Sequence, residues 1–183
     1  MSTPGNTPSR RDLRRLAMQV LYQLDLTSPK HNPGHAPTVL PEADELAEDL
    51  DEDHDSLPTR TKAAELALQA WAKHTEADEK TSTFTPDWPT HRQPPVDRAI
   101  LRLAYYEMTS GHAPIKVAIN EAVELAKQFG SEQSPPFING VLDKLARIIE
   151  APQENGAAGD DQRPVHEPPT NADAWLEDAK QNP

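Results

Sequence analysis

The chain has 183 residues, with 18 Lys and Arg against 30 Asp and Glu, a formal charge of −12, 19 Pro and no Cys. This length supports one ordinary domain with tails. The missing Cys excludes disulfides, thiolate metal sites and a cysteine nucleophile, and fits a reducing compartment. No run approaches the roughly 18 apolar residues of a membrane span. The opening MSTPGNTPSRRDLRR has no apolar core of a secretory signal. A soluble cytoplasmic protein is expected.

The charge is unevenly placed. Residues 42–55 hold nine acids and no Lys or Arg, and residues 150–183 hold eight acids against two bases. Together they carry −15, which leaves the rest of the chain at +3. Residues 1–8 are small, polar and proline-containing, as in a disordered lead-in. Ser9 and Asp12 fit a capping box. After them Leu13, Leu16, Ala17, Val20, Leu21 and Leu24 mark one apolar face of a helix over 10–27.

Proline at 29, 33, 37 and 41 forbids a helix and predicts a loop. In the acidic stretch, Leu40, Ala43, Leu46, Ala47 and Leu50 allow a weak helix against the mutual repulsion of its carboxylates. The spacing of Ala63, Leu66, Ala67, Ala70 and Trp71 predicts one helix over 59–80. A third follows over 96–110, with Val96, Ile100, Leu103 and Ala104 inward, widened by Leu101, Tyr105 and Met108. Gly111 stands where a helix-ending glycine belongs.

A fourth helix, over 115–129, carries Ala118, Ile119, Ala122, Val123, Ala126 and Phe129, and Gly130 closes it. A fifth opens with Ser134 as N-cap and Pro135 at N1. It continues through Phe137, Ile138, Val141, Leu142, Leu145, Ile148 and Ile149. No segment alternates with period two for long enough to make a strand. The expected fold class is all-α, a compact helical bundle. Residues 151–183, with five Pro and little apolar content, read as a disordered tail.

Two stretches carry a resemblance: RRDLRRLAMQVLYQLDL at 10–26, and VDRAILRLAYYEM followed by PIKVAINEAVELAKQFGSEQSPPFINGVLDKLA at 96–146. Together they resemble the NusB family of bacterial transcription antitermination factors, from residue 9 to about 150. The insertion 29–57 and the tail lie outside the resemblance. It implies two small helical subdomains and no catalytic activity. It also implies binding to the boxA element of ribosomal RNA leaders, together with NusE, a small-subunit ribosomal protein, in the antitermination complex on RNA polymerase. Some relatives self-associate, so a homodimer is open.

Arg10, Arg11, Arg14 and Arg15 are the sharpest physical signal, because guanidiniums at a helix start can fork onto phosphates or stack on bases. The resemblance adds RNA contact at Tyr22 and Phe137. It also points to Gln133, where family members often carry Asp. An amide there repels phosphate less than a carboxylate, so Gln133→Asp should weaken RNA binding. Lys116, Lys127 and Lys144 could extend the basic surface.

Asp97, Arg98 and Arg102 flank the third helix, where the resemblance suggests that NusE docks. The alternative for Asp97 is an acid at a helix start. Asn120 and the Asn139-Gly140 pair sit inside helices, where both types cost stability, and suggest a buried hydrogen bond and a close helix approach. The acidic segments are placed to compete with RNA for the arginines.

Enzyme signatures are missing: no Gly-rich phosphate loop, no G-x-S-x-G and no H-E-x-x-H. His31 and His35 are split by Pro33-Gly34 and cannot share a helix face, so no metal or cofactor is expected. The alternative function is a protein-only adaptor that has lost RNA binding.

Overall fold

The computed structural model describes residues 9–28, 41–50 and 56–151. The expectations for the lead-in, the proline loop with His31 and His35, and the tail lie outside them. Among the described residues there is no strand. The elements are α1 Arg10–Thr27, α2 Ala43–Glu48, α3 Leu57–Ala72, α4 His74–Ser82, a 3-10 turn Thr90–Arg92, α5 Pro95–Ser110, α6 Ile115–Phe129 and α7 Ser134–Glu150.

Helix α1 starts as its sequence dictates. The Asp12 amide donates to Ser9 Oγ at 3.1 Å, and the Ser9 amide donates back to Asp12 Oδ2 at 3.2 Å. Asp12 is therefore a capping residue. The α1 stripe Leu16, Ala17, Val20, Leu21 and Leu24 is buried against α3 and α5. The acidic segment does form a short helix, because Leu46, Ala47 and Leu50 are buried as α2 packs on α3.

The single helix expected over 59–80 is two. The break falls at Lys73, whose φ of −105° and ψ of 9° leave the helical basin. His74 stacks on Trp71 with ring centroids 4.2 Å apart, and its Nδ1 lies 2.6 Å from the Trp71 carbonyl oxygen. The ring thus takes up a carbonyl that the break exposes.

Helix α5 is the axis of the molecule, packed by α1, α3, α4, α6 and α7. Every residue from Asp97 to Tyr105 is buried. Gly111 ends it with φ of 69°, a left-handed conformation that suits glycine. At the end of α6 a Cβ on Gly130 would lie 2.6 Å from Ser134 Cβ, so glycine is required there by close approach.

Helix α7 begins differently from the sequence expectation. Gln133 is its N-cap and Ser134 the first helical residue. Ser134 is buried, and its Oγ accepts from the Ser131 amide at 2.9 Å. The hydroxyl closes the α6–α7 loop instead of capping α7. Ile148, expected inward, is 56 % exposed. Gly140 is exposed with open space around its Cα, and Asn120 and Asn139 are exposed. The expected close approach and buried amide are therefore absent at these positions.

Candidate nucleic-acid interface

The start of α1 holds four arginines in four different situations. Arg10 is exposed and lines a small cavity of about 190 Å³ with Leu13, Arg14, Leu66, Glu107 and His112. Arg11 is exposed, yet it forks onto Glu121 of α6 through Nε at 3.2 Å and Nη2 at 3.0 Å. That fork holds the Glu121 carboxyl below the usual range, against the opposing effect of burial. Arg14 is buried, with Nε 2.9 Å from Glu107 Oε1 and Nη1 3.9 Å from Glu121. Arg15 is half-buried and has a partner.

Arg14 is thus part of the packing. The i, i+4 pattern put it in the basic patch, but its turn of the helix faces α5. The reason is residue 107, a carboxylate that becomes visible as a partner only once α1 and α5 lie antiparallel.

The same correction applies to the expected partner surface. Asp97, Arg98 and Arg102 are 1 %, 3 % and 2 % exposed, and so offer no outer face for a docking protein. Arg98 donates to Asp25 Oδ2 from Nε at 3.0 Å and to the carbonyls of Thr90 and Gln93. Arg102 reaches Asp25 Oδ1 from Nη1 at 2.6 Å, and it forks onto Asp78 from Nε and Nη2, both at 2.8 Å. Its guanidinium lies over Trp71, 5.3 Å from the ring centroid.

Burial pushes the Asp25 carboxyl up, and the two guanidiniums outweigh it, leaving Asp25 below the usual range. Asp97 goes the other way. Burial raises it, a hydrogen bond with Ser134 opposes that only partly, and its Oδ1 has no partner. These charges looked like surface flanks because α5 was read as a two-sided helix. It is enclosed on all sides.

Helices α1 and α6 run in the same direction and meet at two places. At the start of α1 and the middle of α6 the meeting point is the Arg11–Glu121 fork. Near their ends it is a pocket of about 360 Å³. Tyr22 and Phe129 stand in its wall with Met18, Gln19, Gln23, Asp49, Leu50 and Val96. Tyr22 and Phe129 are half-buried, which leaves ring surface in reach of a ligand. Phe129 packs against the core, as its place in the α6 stripe predicts, and also borders this pocket. Its position two turns beyond Glu121 on the seam with α1 is what places it here.

Phe137 lies elsewhere. It packs on Trp88 with centroids 4.7 Å apart and the rings tilted by 53°. Trp88 was missed in the sequence, though a tryptophan inside the proline-rich run PDWPTHRQPP is an available signal. Gln133, Lys116, Lys127 and Lys144 are exposed. Lys127 pairs with Glu124 at 2.6 Å. Among the described residues no group of His, Asp and Glu could hold a metal ion, and no helix is long and apolar enough to cross a membrane.

The NusB family model matches residues 11–147. A transcription antitermination protein NusB from Nitratidesulfovibrio vulgaris (strain Miyazaki F) is 41 % identical over 158 residues, covering 82 % of this chain and 95 % of that one. The chain belongs to the NusB family of transcription antitermination proteins. The family is regulatory and non-enzymatic. A NusB from Herpetosiphon aurantiacus is 35 % identical, covering 78 % of this chain and 92 % of that one. A solved T. maritima NusB structure matches with a TM-score of 0.60 and 31 % identity, over 80 % of this chain and 93 % of that one. The solution structure of NusB from Aquifex aeolicus, 24 % identical with a TM-score of 0.57 over 85 % of this chain and 95 % of that one, shares the fold.

Proposed function

We propose that this chain binds a boxA-type single-stranded RNA together with NusE and so supports transcription of ribosomal RNA in the antitermination complex on RNA polymerase. The observation that carries this reading is the α1–α6 seam. It joins exposed Arg10 and Arg11 at one end to a pocket with two aromatic rings and two amides at the other. Guanidiniums supply the salt-dependent attraction to phosphates. Half-buried rings supply stacking for splayed bases, and the Gln19 and Gln23 amides can pair with base edges. Trp88 and Phe137, the latter in the first turns of the helix that exposed Gln133 caps, offer a further aromatic surface. NusE, which is expected to contact RNA as well, raises the joint affinity by making the second contact intramolecular.

The test is fluorescence anisotropy with a boxA-like RNA and a scrambled control, with and without NusE. Preference for boxA, strengthened by NusE, supports the reading. Equal binding to both RNAs and no NusE effect contradicts it.

A second reading, a protein-only adaptor, is favoured by one observation. Arg11 and Arg14 already have carboxylate partners in Glu121 and Glu107. If that reading holds, charge reversal of Arg10 and Arg11 leaves partner binding and antitermination intact.

A further inference from the structure

The pocket between Tyr22 and Phe129 is bounded on one side by the end of α2. Asp49 is the C-cap of α2, and Leu50 after it is buried. The Leu50 carbonyl accepts from Arg60 Nη1 at 2.9 Å. The end of α2 is thereby pinned to α3, and Asp49 is held at the pocket by a buried neighbour. Asp49 is exposed, and among the described residues its carboxylate has no hydrogen bond or ion pair.

Among the described residues, no Lys, Arg or His lines this pocket. Among these residues a phosphate entering it would meet the Asp49 carboxylate and no cation. An unpaired base would meet two aromatic faces, the apolar Met18, Leu50 and Val96, and three polar groups at the edge. The charge balance therefore puts the base inside and the phosphates outside, toward Arg10 and Arg11.

We infer that Asp49 is a specificity-determining residue, selecting at this pocket a base that presents N–H donors on its Watson–Crick edge, guanine first. This rests on the α1–α6 seam being an RNA surface. A carboxylate accepts only. Guanine offers N1–H and N2–H side by side, matching both oxygens at once, which is the stronger bidentate arrangement. Cytosine and adenine offer one amine beside a ring nitrogen acceptor. Uracil offers one N–H between two carbonyls that repel the carboxylate. The order is guanine, then cytosine and adenine, then uracil. Asp49, the acidic-segment residue at this pocket, stands at the end of the seam away from Arg10 and Arg11.

The experiment uses the full chain and uridine heptaribonucleotides carrying one central guanosine, cytidine, adenosine or uridine, read by anisotropy. The wild type should prefer the guanosine heptamer over all-uridine by roughly fivefold or more, the low end of what a bidentate edge contact supplies. Asp49→Ala should cut that preference below twofold while all-uridine affinity stays or rises, because a repelling charge has gone. A misfolded variant would lose all four ligands together, and Asp49→Glu should keep the order.

The inference is overturned if Asp49→Ala, with wild-type circular dichroism and melting temperature, changes all four affinities by one factor, or weakens only binding of NusE. If Tyr22→Ala abolishes binding while Asp49→Ala leaves the order intact, the base selection falls and the RNA seam stands. If the wild type binds none of the heptamers, both fall.

Discussion

Asp25, on α1 against α5, and Asp97, in the first turn of α5, are both buried carboxylates, and their surroundings push them in opposite directions. Asp25 is held down by Arg102 and Arg98 against the upward push of burial. Its contribution to stability is present above the unfolded value of about 3.9 and is lost as pH falls through the lower folded value. Asp97 is raised by burial, so its carboxylate form costs the folded state stability as pH rises through the unfolded and then the folded value. Asp97→Asn should therefore stabilise the protein at pH 7 by about 1–2 kcal/mol, since it removes a charge with an orphaned oxygen. The gain should shrink as pH falls through the folded and then the unfolded value and vanish below about pH 3, where the carboxyl is protonated in both states. Urea unfolding at both pH values checks this, and a destabilised variant at pH 7 would refute it.

Arg102→Met leaves Asp78 without its fork and Asp25 with one guanidinium fewer. Breaking a buried pair costs about 3–5 kcal/mol, a large part of a total of about 5–15 kcal/mol. Chemical denaturation should show that loss. None of this was legible residue by residue. Arg98, Arg102 and Asp97 read as flanking charges because their partners Asp25 and Asp78 are 73, 77 and 24 residues away along the chain or, for Asp97, across a loop on α7.

At the scale of elements, two glycines should respond oppositely to the same change. A Cβ on Gly130 would sit 2.6 Å from Ser134 Cβ and 2.7 Å from the Ala126 carbonyl oxygen. Gly130→Ala should destabilise by more than about 1 kcal/mol, in the range of overpacking. Gly140 lies inside α7 with nothing within 4 Å of an added Cβ, so Gly140→Ala should stabilise by about 0.5–1 kcal/mol through helix entropy. Melting temperatures of the two variants decide both.

Local signals served well where the cause was local. The Ser9–Asp12 box, the Gly111 stop and the α1, α6 and α7 stripes were legible because caps and periodicity act within a turn or two. The break at Lys73 was not, because the stacking of His74 on Trp71 leaves no mark on apolar spacing. The Ser134 hydroxyl was assigned to the wrong duty for a related reason. Its bond to Ser131 belongs to a loop whose path the sequence does not state.

For the whole molecule, the −12 charge hides a seam that is basic at one end and aromatic at the other. The resemblance pointed to the arginine-rich helix and Tyr22 as the RNA surface. It did not separate the exposed arginines from the buried one, because that depends on which way each turn of α1 faces across α5. Phe129 joined the pocket only through the parallel run of α1 and α6. Gln133 remains exposed, and Gln133→Asp should weaken RNA binding; unchanged affinity across a salt series would remove it from the interface.

The most direct test is the salt dependence of boxA RNA binding in the wild type and in the Arg10→Ala, Arg11→Ala double variant, with NusE present. Each single-strand phosphate contact contributes about −0.7 to the log–log slope. If both exposed arginines meet phosphates, the double variant should bind more weakly at low salt with a slope shallower by about 1.4. Identical slopes and affinities in the two proteins would contradict RNA recognition along the α1–α6 seam.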